Sequence, residues 1–91
     1  MLERKTLENV VKVSRLFDKR ITGRMFFART MDSSHDTMFN MISICAEGIF
    51  LVHDEWGECQ TCVEIEKVKS IYEVVDIRNR TVGKKLFNLS W

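Results

Sequence analysis

At 91 residues with a net charge of +1, 45% hydrophobic and 30% charged residues, the chain 1–91 is expected to be one domain, because a single core serves about 50–200 residues. That balance excludes the low-hydrophobicity, high-charge profile of a disordered chain. Charge interrupts every apolar run well short of the ~18 residues a spanning helix needs, so no membrane segment is expected.

In chain order, Leu7, Val10, Val11, Ser14 and Phe17 recur at three- and four-residue spacing and predict an amphipathic helix from Thr6 to about Arg20. Thr6 is the candidate N-cap, with Glu8 in the first turn where a negative charge suits the helix dipole. Asn9 replaces the Glu or Gln of a full capping box. The period then changes to two. Strands are predicted over Ile21 to Arg29, Met38 to Ala46, Ile49 to His53, Cys59 to Glu66 and Ile71 to Ile77, with a sixth over Lys85 to Trp91. Between them lie turn-rich segments, among them Glu47-Gly48, Trp56-Gly57 and a short Lys67-Val68-Lys69-Ser70 step.

The expected fold class is α+β, mainly β: an N-terminal helix followed by a five- to six-stranded antiparallel sheet or small barrel. The stretch Val63-Glu64-Ile65-Glu66-Lys67-Val68-Lys69-Ser70-Ile71-Tyr72-Glu73-Val74 resembles the strand, one-turn step and final strand that close SH3-like and Sm-like barrels. The resemblance implies a barrel; it assigns no function.

Charge is segregated. Residues 1–30 hold eight bases against three acids, residues 31–66 hold eight acids and no Lys or Arg, and residues 67–91 hold six bases against two acids. If the two basic ends meet, the molecule has one positive and one negative face.

Several constellations have the letters of catalysis or metal binding without its geometry. Cys59-Gln60-Thr61-Cys62 has zinc-like spacing, and Cys45 and His53 could complete four ligands. With two-residue turns at Glu47-Gly48 and Trp56-Gly57, however, Cys45 and Cys59 fall on one sheet face and Cys62 and His53 on the other. His35-Asp36 and His53-Asp54 lack the further ligands that metal-dependent hydrolases need, and Ser33, Ser34, His35 and Asp36 are contiguous, which a catalytic triad is not. No enzyme activity, cofactor or metal is expected. The odd number of cysteines favours a reduced, cytoplasmic location, and no export signal is read at the amino terminus.

Two binding surfaces remain. Arg20, Arg24, Phe26 and Arg29 interleave bases with an aromatic ring, a mixture suited to phosphates and stacked bases of RNA or single-stranded DNA. The other surface is apolar. Phe39, Met41, Cys45, Phe50, Val52, Val63 and Ile65 are expected to form the interior, which leaves Ile42, Ile44, Ile49 and Leu51 on an outer face with Trp56 at its rim. Four bare aliphatics suggest a covered surface. The leading expectation is therefore a non-enzymatic regulatory or interaction module that binds another protein or a second copy of itself, with nucleic acid as the alternative partner.

Overall fold

The computed structural model describes residues 4–17, 25–32 and 36–91. One helix, α1 (Arg4–Ser14), is followed by a single 3₁₀ turn at Arg15–Phe17. Seven strands follow among the described residues: β1 (Phe26–Thr30), β2 (Thr37–Phe39), β3 (Met41–Cys45), β4 (Gly48–Glu55), β5 (Glu58–Glu64), β6 (Val68–Asp76) and β7 (Thr81–Asn88). They form two antiparallel sheets, one ordered β2-β1-β6-β7 and the other β3-β4-β5. The fold is thus small and mostly β, and the sheets do not close into a barrel.

The predicted strand from Met38 to Ala46 is broken at Asn40, and the break moves the chain from one sheet to the other. Asn40 replaces the interrupted ladder. Its backbone N–H donates to the Val52 carbonyl at 2.9 Å, its side-chain amide donates to the Asp54 carbonyl at 2.7 Å, and its side-chain oxygen accepts from the Asp54 N–H at 3.0 Å. The bend therefore leaves these backbone groups satisfied.

Between the sheets lies a core of Phe26, Ala28, Phe39, Ile49, Leu51, Val63, Ile65, Val68 and Ile71, closed by Val10 and Val13 of α1. Phe17 adds edge-on contacts to Phe26 and Phe39, with ring centroids 5.6 and 6.1 Å apart. The helix buries Thr6, Asn9, Val10 and Val13, and leaves Leu7 and Val11 exposed. This face is rotated from the expected one because Asn9 is held. Its amide donates to the Ser90 carbonyl at 2.8 Å and its oxygen accepts from the Ser90 N–H at 3.2 Å. Thr6 lies inside a helix that begins at Arg4, so it is a buried residue and not the cap.

Other boundaries differ in ways the hydrogen bonds explain. The β3–β4 turn is Ala46-Glu47, since Cys45 pairs with Gly48. Cys59 to Glu66 ends as a strand at Glu64, and the one-turn step is Ile65–Lys67. The final strand begins at Thr81, before the expected Lys85, and ends at Asn88. Leu89 returns its N–H to the Lys69 carbonyl, and the Trp91 indole donates to the Val68 carbonyl at 2.9 Å. The expected helix end at Asp18 to Arg20 and strand start at Ile21 to Arg24 lie outside the described residues.

The central correction concerns the inner face of the three-stranded sheet. Ile49 and Leu51 are core residues, Leu51 with no exposed surface, and Ile42 packs partly buried against them. Met41 and Cys45, expected inside, are exposed. The alternation is equally apolar on both faces of β3 and β4, so it could not say which face is inner. A bulge at Gln60 then brings Val63 opposite Leu51, reinforcing that side. Within the expected patch, Ile44 keeps 68% of its surface exposed.

Candidate functional site

Two hairpin tips meet at one end of the molecule. In the β4–β5 hairpin Glu55 pairs with Glu58, leaving a two-residue turn at Trp56 (φ 60°) and Gly57 (φ 77°). Positive φ at both central residues is the requirement of a type I′ turn, whose twist matches the flanking strands and which favours Asn-Gly. Gly57 meets it without strain. Trp56 does so against its Cβ, at a cost of about 1–2 kcal/mol, and its side chain is 93% exposed.

The β6–β7 turn is built on Asp76, whose carboxylate accepts from the Asn79 side-chain amide at 2.8 Å and the Asn79 N–H at 3.3 Å. The Arg80 N–H donates to the Ile77 carbonyl at 3.3 Å, and Arg80 adopts φ 54°. Among the described residues, Trp56 and Arg80 are the non-glycine residues with positive φ. Both stand at hairpin tips.

The tips are neighbours because Glu55 and Arg80 line the same two clefts together with His53 and Met38. One cleft, about 470 Å³ in volume, continues to Met25, Ile77 and Arg78. His53 Nε2 lies 3.7 Å from Glu55 Oε2. Arg78 and Arg80 form no salt bridge within 4.0 Å among the described residues. Ile77 and Val75 are also exposed near this end. The cleft thus brings two guanidinium groups beside apolar Met25, Met38 and Ile77, a combination suited to an apolar side chain next to a carboxylate, and the exposed indole of Trp56 follows Glu55 at its border.

Trp56 is legible from its place before Gly57. Arg78 and Arg80 are not, because two hairpins distant in sequence must end side by side before they share a cleft with His53 and Glu55. Gly83 lies within β7 against β6, where an added Cβ would sit 2.8 Å from a Val75 methyl.

The positions expected to contact nucleic acid separate. Phe26 has no exposed surface and belongs to the core, so it cannot stack on a base. Arg20 and Arg24 lie outside the described residues. Arg29 is on the outer face of the four-stranded sheet, 3.6 Å from the Asp36 carboxylate and with its guanidinium 5.0 Å from the Tyr72 ring centroid. Phe27 and Tyr72 make an edge-on pair at 6.4 Å, and Lys85 lies opposite Tyr72. The aromatic member of this face is thus Phe27, with Tyr72 brought in by strand pairing that no local pattern announces.

Cys45, Cys59 and Cys62 are free and exposed. Their ladder partners are Gly48, Asp54 and Val52, so the Gln60 bulge puts all three on the same side of the sheet, contrary to the expected division, while His53 stays on the other. Among the described residues, no group of three or more His, Cys, Asp or Glu side chains is placed to hold a metal ion. No helix there is long and apolar enough to cross a membrane. No family model, curated protein or solved structure matches this chain.

Trp56→Asn gives the Asn-Gly pair that a type I′ turn favours and removes no packed side chain. It is expected to raise stability by about 0.5–1 kcal/mol in urea denaturation. A loss of stability would mean that the indole packs on its own sheet.

Proposed function

We propose that this chain is a non-enzymatic interaction module that binds another protein through the end formed by the two hairpin tips, with Trp56 as anchor. The observation that carries this is the pairing of backbone cost with exposure: Trp56 holds a left-handed conformation and gives nothing visible to its own core. Such strain is stored where surrounding structure over-determines it, characteristically at binding sites. Arg78 and Arg80, which line a cleft together with Glu55, the residue before Trp56, favour a partner segment with acidic and apolar residues.

The two sheets are read as an open relative of the small SH3-like or Sm-like barrels. Support comes from the strand that bends at Asn40 to serve both sheets and from the one-turn step between β5 and β6. A cytoplasmic, reducing location is the reading that the three free cysteines favour.

A second reading, binding of RNA or single-stranded DNA, has one observation in its favour: the outer face with Phe27, Arg29, Tyr72 and Lys85. On that reading Arg29→Ala reduces the salt slope of binding by about one counterion, and an absence of binding to a single-stranded oligonucleotide at ~50 mM salt contradicts it. The discriminating experiment is affinity purification of the tagged chain from its native cell, with and without nuclease. Co-purifying proteins that survive nuclease and are lost with Trp56→Asn support the first reading; proteins released by nuclease, or retained by the variant, contradict it.

A further inference from the structure

Sheet edges carry unpaired backbone donors and acceptors, and proteins guard them with charge, proline, bulges or short length. Among the described residues, three of the four sheet edges are guarded. β2 has three residues, β5 carries a bulge and is flanked by Glu58 and Glu64, and β7 carries Lys84 and Lys85 and pairs with β6 in broken register. β3 has none of these. Met41-Ile42-Ser43-Ile44-Cys45 contains no charge and no proline and pairs with β4 in unbroken register. Ile44 and Met41 stand exposed upon it.

We infer that β3 pairs antiparallel with β3 of a second copy about a two-fold axis at Ser43, joining two three-stranded sheets into one of six. Length and charge select this occupant: the β2 edge of another copy offers only three residues. The β5 edge of another copy would bring Glu58 and Glu64 beside Ile44, and its β7 edge would bring Lys84 and Lys85, in each case desolvating charges against an aliphatic strand. Within the paired strands themselves, β3 against β3 opposes no charged side chain. Centred on Ser43, the register sets Ile44 against the second copy's Ile42 and Met41 against its Cys45, so the exposed isoleucine gains a cross-strand aliphatic partner. A two-fold contact of this kind closes at the dimer. It is independent of Trp56, which lies at the far end of β4.

The electrostatics give the dimer a signature. Residues 41–64 carry five acids, Glu47, Asp54, Glu55, Glu58 and Glu64, and no Lys or Arg, so joining two such sheets opposes like fields. Dimerisation therefore tightens as salt screens them.

Sedimentation velocity on the full chain under reducing conditions tests this. The expected result is a reversible dimer that strengthens with salt, is abolished by Ile44→Lys and is unchanged by Trp56→Asn. Ile44 is exposed, so the lysine variant is expected to stay folded by circular dichroism. Register is tested separately with Ser43→Cys in a chain whose Cys45, Cys59 and Cys62 are replaced by serine, where oxidation should give a disulfide-linked dimer. A wild-type monomer at concentrations up to about 100 μM, a dimer that Ile44→Lys leaves intact, association that weakens with salt, or no cross-link at position 43 would each overturn the inference.

Discussion

Leu51→Ala is expected to lower stability by about 3–5 kcal/mol, while Ile44→Ala in dilute monomeric protein changes it by about 0.5 kcal/mol or less. Both residues lie on the same face of neighbouring strands, in a patch that alternation alone treats as uniform. Leu51 is fully buried in the cluster that includes Val10 and Val13 of α1, whereas Ile44 is outside that cluster and exposed. A chain of this length has a total margin of about 5–14 kcal/mol. The alanine at position 51 therefore removes a large part of it, with a fall in melting temperature of roughly 12–30 °C. Urea denaturation at low protein concentration measures both variants. Equal effects at the two positions would contradict the placement of the inner face.

Asn9→Ala has the second large effect, about 1–3 kcal/mol, and acts through backbone groups far along the chain. Asn9 is buried, and its amide satisfies both the N–H and the carbonyl of Ser90. Alanine removes both bonds, and because Ser90 is itself exposed its freed groups can turn to water, so each bond counts at its net worth of about 0.5–1.5 kcal/mol. The same segment is tied down by the Trp91 indole on the Val68 carbonyl and by Lys5 Nζ, 3.0 Å from the Trp91 carbonyl. Hydrogen exchange in the variant is expected to speed up in α1 and at Leu89 to Trp91 before the central strands. Uniform acceleration across the chain would show that the helix does not open as a separate unit.

These two residues also mark what a linear reading can and cannot reach. Helical spacing from Leu7 to Phe17 and alternation beyond Phe26 are local properties, and they yield one helix, a mostly β chain and the Trp56-Gly57 turn. The inner face of β4 is a tertiary property. Ile49 and Leu51 compete with Phe50 and Val52 on nearly equal terms until the second sheet covers one side. Asn9 looks like a failed capping residue because its partner lies at Ser90, beyond any local window. The bulge at Gln60 carries no glycine to announce it, and it reverses the relation between Cys59 and Cys62. At the candidate site the indole was readable because turn chemistry is local. Arg78 and Arg80 were not, because their role depends on two hairpins ending side by side.

Trp56 is proposed to serve a partner and not its own fold. The direct measurement is the dissociation constant of the purified chain for the protein it captures, wild type against Trp56→Asn, with unfolding midpoints taken on the same samples. An anchoring tryptophan is worth at least about 2 kcal/mol, so the expected result is a dissociation constant raised about 30-fold or more in a variant that is no less stable. A constant unchanged within about twofold, a difference of about 0.4 kcal/mol, would contradict it.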